Sequence, residues 1–115
     1  MNGRNMPDYM VIDRDQLADS ELQGDQYGGA NVCVIFVDAA PGEGPRLHKH
    51  PYEEIFIVLE GRSRFTVGSN TLEARGGQVV ITRPDIAHKF INSGAKRLRQ
   101  IDIHASPKFI TEWLE

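Results

Sequence analysis

Short apolar runs, each broken after a few residues by Gly, Pro, Asn or Asp, continue from one end of the chain to the other. That rhythm predicts an all-β sandwich or barrel. The runs place strands over residues 9–13, 31–39, 46–50, 54–60, 63–67, 71–74, 78–82, 88–92 and 98–104. Gly61-Arg62, Gly68-Ser69-Asn70, Arg75-Gly76-Gly77 and Ser93-Gly94-Ala95 supply turn chemistry between them. Residues 19–29 are polar and carry glycine, so they read as a surface loop. The period changes at the end of the chain. Ser106-Pro107 reads as an N-cap followed by proline at the first helical position, and Phe109, Ile110, Trp113 and Leu114 then recur at helix spacing. Residues 106–115 are therefore expected to form a short helix docked on a sheet.

Three of the runs are apolar on both faces. Phe56 and Val58 alternate with Ile55, Ile57 and Leu59, and residues 32–37 and 79–81 behave likewise. A barrel wall needs only one apolar face unless something covers the outside. The C-terminal helix is expected to cover part of it, and a second subunit of a homodimer the rest.

Length and composition narrow the setting. A chain of 115 residues fits one domain, residues 1–115, that buries roughly two-thirds of its unfolded surface. Residues 1–7 lack the apolar core of a signal peptide and read as a flexible arm. The net charge of -3 argues against a nucleic-acid partner, and Lys96, Arg97 and Arg99 read as a solvated turn and strand end. No apolar stretch approaches the roughly 20 residues of a membrane span. The single cysteine, Cys33, rules out an intrachain disulfide and lies in an apolar run. It reads as a small buried hydrophobe in a protein of the reducing cytoplasm.

The chemistry concentrates in His48-Lys49-His50, followed by Glu54. Alternation along a strand points His48 and His50 the same way, and Glu54 arrives just after a turn. Two imidazoles and a carboxylate make three metal ligands. His88 is the candidate for a fourth, and these three histidines are all but one of the chain's four. Neutral imidazoles with one carboxylate suit a single divalent Fe, Mn, Ni, Zn, Co or Cu ion.

The spacing Gly42-x5-His48-x-His50-x3-Glu54-x6-Gly61 resembles the first motif of the cupin superfamily. The segment Gly77-x5-Arg83-Pro84-Asp85-x2-His88-x3-Asn92 resembles the second, usually G-x5-P-x-G-x2-H-x3-N. The resemblance implies a small antiparallel jelly-roll barrel, the double-stranded β-helix, with a metal held inside by His48, His50, Glu54 and His88. Two positions depart from the pattern. Arg83 stands at the family's proline, with Pro84 one place later, and Asp85 stands at its glycine. That glycine often serves a turn with φ > 0, which Asp tolerates better than most residues. Cupins include dioxygenases, isomerases, epimerases, decarboxylases, sugar-binding regulators and storage proteins, so the resemblance implies a fold and a site more than a reaction.

Other residues carry two readings each. Alternation and the family spacing select Glu54 over Glu53 as the ligand. His104 reads as packing or capping, with an outer-shell role behind the metal as the alternative. Asn92 reads as a hydrogen-bonding group that fixes a strand end. Arg46 shares parity with His48, so a regular strand would aim it inward to clamp a substrate carboxylate; the plainer reading is a solvated arginine at the barrel mouth. Phe36, Phe56 and Phe90 read as cavity lining or as core. The functional expectation is a metal-dependent enzyme acting on a small organic molecule, of oxygenase or isomerase type. The alternative is a non-catalytic sensor or binding protein that uses the same metal pocket. No segment is patterned as a DNA-binding domain, so a self-contained transcription factor is not expected.

Overall fold

The computed structural model describes residues 8–115; the arm expected over residues 1–7 lies outside them. Ten strands form: β1 (Glu21–Gln23), β2 (Cys33–Ala39), β3 (His48–Lys49), β4 (Glu54–Glu60), β5 (Arg62–Val67), β6 (Asn70–Arg75), β7 (Val79–Thr82), β8 (His88–Asn92), β9 (Leu98–His104) and β10 (Glu112–Trp113). They make two five-stranded sheets, ordered β1-β2-β9-β4-β7 and β10-β3-β8-β5-β6, with every pairing antiparallel. We call these the first and second sheets.

The core lies between the sheets. Phe56, Val58 and Leu98 from the first meet Phe65, Ala74 and Phe90 from the second. Phe56 and Phe65 meet edge to face with ring centres 5.0 Å apart, a geometry aromatic quadrupoles favour. Alternation explains the burial. In β5, Ser63 and Phe65 are buried while Arg62 and Arg64 are exposed. Asn92 closes this end of the barrel as the sequence suggested. Its amide donates to the Ala39 and Lys96 carbonyls at 2.9 and 2.8 Å, and its oxygen accepts from the Gly94 N–H at 2.9 Å.

Two expectations fail at the ends of the chain. Residues 9–13 form no strand; instead β1 arises inside the expected 19–29 loop and pairs with β2. The expected helix over 106–115 is also absent. Ser106 does hydrogen-bond locally, accepting from the Lys108 N–H, but the chain then extends and β10 pairs with β3. Sheet pairing wins because β3 has a free edge next to it. The Leu114 N–H reaches the Leu47 carbonyl at 2.9 Å, and the Ile110 carbonyl accepts a hydrogen bond from His50 Nδ1 at 2.8 Å. A helix would have turned those backbone groups inward on itself. The apolar stripe still docks, with Phe109 against His104 and Trp113 against His48.

Candidate metal centre

The register of the strands assembles the site. His48 on β3 stands opposite His88 on β8, and Glu54 on β4 stands opposite His104 on β9. His50 follows β3 directly. Its carbonyl accepts from the Asp85 N–H at 2.7 Å, which ties the turn before β8 to the histidine strand. Asp85 has φ +65°, so the left-handed turn is kept without the family's glycine. His48, His50, Glu54 and His88 are all buried, and one ligand atom from each lies within 4.8 Å of the others.

The tautomers are set by what each ring touches. Nδ1 of His48 lies 2.6 Å from the Arg46 carbonyl, Nδ1 of His50 lies 2.8 Å from the Ile110 carbonyl, and Nδ1 of His88 lies 2.9 Å from the Ile86 carbonyl. A carbonyl only accepts, so all three rings donate from Nδ1 and, when neutral, present the Nε2 lone pair. Nε2 of His50 and of His88 lie 3.2 and 3.1 Å from Oε1 of Glu54. Nε2 of His50 is buried with no hydrogen-bond partner. Lone pairs facing a carboxylate oxygen repel one another unless a cation stands among them. With bonds of about 2.1 Å, neighbouring donors on an octahedral ion sit about 3.0 Å apart. The donor types and their spacing therefore fit a divalent transition ion.

The site's electrostatics agree. Burial works against the charge on Glu54, but contacts from His104, His50 and His88 outweigh it and hold the carboxyl well below the usual range. Burial also pulls on His88, yet the Glu54 carboxylate and the Ile86 carbonyl hold its pKa above the ordinary value. Burial lowers that of His48, with His88 and His50 adding to the effect and the Arg46 carbonyl opposing it. Without a metal, a proton on His88 is the cation the Glu54 carboxylate attracts.

His104 stands on the far side of the same carboxylate. Its Nε2 is 3.1 Å from Oε2 of Glu54, close enough for a hydrogen bond but off its line. Its Nδ1 faces the Tyr52 hydroxyl at 2.7 Å. A hydroxyl can donate where a carbonyl cannot, so His104 is free to take the opposite tautomer and support Glu54 from behind. The packing that the sequence suggested first is present against Phe109, and this position behind Glu54 is the one the outer-shell alternative would need.

A cavity of about 380 Å³ opens beside these residues. Phe56 and Phe90 line it, as do Trp113, Phe109 and the carboxyl groups of Glu21 and Asp102. Arg46 does not. It is exposed, and its guanidinium lies 5.0 Å over the outer face of the Trp113 ring. The parity that would have aimed it inward requires a strand from 46 to 50, but only His48 and Lys49 are extended as one. Phe36 also points away from the cavity, beneath Arg14 at 4.6 Å. Asp102 was missed. Its signal was in the sequence: Gln100, Asp102 and His104 alternate along one strand, and all three are buried, whereas Arg99 is exposed and Ile101 and Ile103 are half-buried. A polar inner face marks a lined cavity rather than a packed core.

Residues 35–104 match the family described as Cupin domain. The chain is 32% identical over 109 residues to the HTH-type transcriptional regulator PuuR of Escherichia coli, covering 87% of this chain and 58% of that one. The curated relatives it matches are longer or extend further, and the matched segment spans 24% to 58% of their length. Among solved structures, a double-stranded β-helix protein of unknown role from Klebsiella pneumoniae aligns at TM-score 0.68 and 22% identity, over 74% of this chain and 76% of that one. An oxalate decarboxylase of Bacillus subtilis with Mn(II) centres aligns at TM-score 0.75 and 21% identity, over 82% of this chain and 27% of that one. At these identities the two structures speak for the fold alone.

Proposed function

The chain belongs to the cupin family, and from that premise we propose that it binds one divalent transition metal through His48, His50, Glu54 and His88 and uses it to act on a small organic molecule. The observation that carries this reading is the convergence of lone pairs. Three histidines are pinned through Nδ1 to carbonyls; His50 and His88 set Nε2 at 3.2 and 3.1 Å from one buried carboxylate, and His48 has a ligand atom within 4.8 Å of the group. Four ligands leave two positions open on an octahedral ion, or one where Glu54 binds through both oxygens. A metal bound there supplies a Lewis acid or a redox centre for oxygenase or isomerase chemistry. The protein's own residues define the space around it: Phe56, Phe90 and Trp113 wall the cavity, and His104 backs the carboxylate. Elemental analysis of protein purified without added metal tests the first half, with about one ion per chain expected. Oxygen uptake with candidate phenols, thiols and keto acids tests the second.

A second reading has its own support. Likeness to PuuR runs over most of this chain, and that relative is a transcriptional regulator. The same pocket would then sense a ligand without turning it over. Tight, saturable ligand binding with no product formed would favour the sensor; turnover would favour the enzyme.

We also infer that the chain pairs with a second copy through the outside of the first sheet. Ile55 and Ile57 on β4 lie beside Ile81 and Val79 on β7 and beside Ile103 and Ile101 on β9. Leu59, Val79 and Ile81 are 52%, 56% and 53% exposed. A two-fold axis would lay each aliphatic row on its counterpart, which a self-complementary interface requires. Among the described residues, no helix is long and apolar enough to cross a membrane.

A further inference from the structure

The cavity beside the four metal-site residues has an unusual balance of charge. Besides the imidazoles and Glu54, its polar lining includes the carboxyls of Glu21 and Asp102. Among the described residues, no lysine or arginine lines it. Glu21 and Asp102 belong to one inward row, since Glu21 pairs with Ile35 and Ile35 pairs with Asp102 across β1, β2 and β9. Two strand spacings put their backbones about 10 Å apart, so a small molecule in the cavity is within reach of both.

Asp102 is the informative member. It is 3% exposed. The Gln100 amide donates to its Oδ1 at 2.8 Å, and among the described residues nothing hydrogen-bonds to Oδ2 and no cation pairs with the carboxyl. Its cross-strand neighbours Ile35 and Phe56 are apolar, and Gln100 and His104 flank it along β9. A carboxylate in such a place is costly to charge unless a counterion arrives. Among the described residues no lysine or arginine lining the cavity supplies one, and the cavity is open to a ligand that does.

We propose that the cavity takes a small ligand bearing a protonated amino group, which pairs with Asp102, with Glu21 as a second acceptor. This rests on the reading of the cavity as the ligand site of the metal centre and adds the class of ligand to it. Small dicarboxylates are disfavoured, because the metal would be their only cationic partner.

The test uses Trp113, the chain's single tryptophan and part of the cavity wall, as a fluorescent reporter. Three probes of one size are titrated: n-butylamine, n-butanol and n-butyrate. Each titration is run on protein as purified and on chelator-treated protein, with metal content measured on the same samples. Butylamine is expected to bind at least tenfold more tightly than butanol in both. Asp102→Asn, which keeps an acceptor for Gln100, should weaken the amine by about tenfold to a hundredfold and leave butanol unchanged. Glu21→Gln should weaken the amine by a smaller factor and serves where Asp102→Asn does not fold. Butyrate binding more tightly than butylamine in chelator-treated protein would overturn the proposal. So would an amine affinity untouched by both variants, or no saturable response to the amine. Absence of metal with the amine preference intact would count against the metal reading alone.

Discussion

Outward positions on β5 and β6 hold Arg62, Arg64 and Glu73, which pair at 3.3–3.4 Å across the two strands. Outward positions on β4 and β7 hold Ile55 beside Ile81 and Ile57 beside Val79. The two sheets share a barrel and differ in what they show to the outside. The second is charged there, as a solvated face should be. The first is aliphatic there and, toward the metal end, polar inside, where Asp102, His104 and Glu54 replace hydrophobic residues. Inside, both sheets are polar toward the metal end, with His48 and His88 buried on the second, so the contrast lies in the outer faces, and the usual rule of a polar exterior describes only the second sheet. Inner polarity belongs to the site on both sheets, and the outer apolarity of the first is what the proposed pairing with a second copy would cover.

The largest effect should come from breaking the site where the second sheet supplies its imidazoles. His50→Ala removes a ligand and should lower metal affinity by more than about a hundredfold, read by elemental analysis after dialysis, with the circular dichroism of the fold retained. His104→Ala, on the first sheet and outside the ligand set, should cost about tenfold to a hundredfold by letting the Glu54 carboxylate turn. Equal losses from the two would erase the distinction between ligand and support.

The outer faces are tested next. Ile57→Lys places a charge in the aliphatic face of the first sheet and should shift the protein from dimer to monomer at micromolar concentration in light scattering. Thr66→Lys, outward on β5, should leave its mass unchanged. A wild-type monomer at that concentration would remove the second copy from the account.

A subtler effect concerns the inner face of the first sheet. Burial, with the nearby Glu54 charge, holds the Asp102 carboxyl well above its usual pKa, and Gln100 only partly offsets this. The unfolded chain ionises Asp102 at about 3.9. As pH rises above that value, the unfolded state gains from ionisation while the folded state does not, so stability falls until the folded-state pKa is passed. Asp102→Asn removes this penalty. In chelator-treated protein its melting temperature should match the wild type near pH 4 and exceed it at pH 7 to 8. A difference that does not grow with pH would contradict the assignment. The smallest effect belongs to the charged face: Glu73→Ala breaks exposed pairs and should shift the melting temperature little, and less still at high salt.

Much of this was legible along the chain. The all-β rhythm, most of β2 and β4 to β9, and the four residues of the metal cluster follow from alternation, turn chemistry and motif spacing. Those are local signals, and Glu54 in particular is chosen over Glu53 by alternation together with the family spacing. Asp85 kept a left-handed turn for the reason its side chain suggested. The two-sided apolar runs also stated their outward faces correctly, since the same positions are half-buried or exposed in the folded chain.

What the tertiary structure decided were the matters that depend on a distant partner. Residues 106–115 have helical spacing, but the edge of β3 offered hydrogen bonds that only a strand can take. Arg46 has the parity of His48, but parity holds only within a strand, and Arg46 lies outside β3, across a bend at Leu47. His104 and Asp102 lie about fifty residues from Glu54 and Phe56, and antiparallel pairing of β4 with β9 sets them beside those residues. A sequence fixes which residues alternate. It takes the register between strands, set by the packing of the whole barrel, to fix what each of them faces.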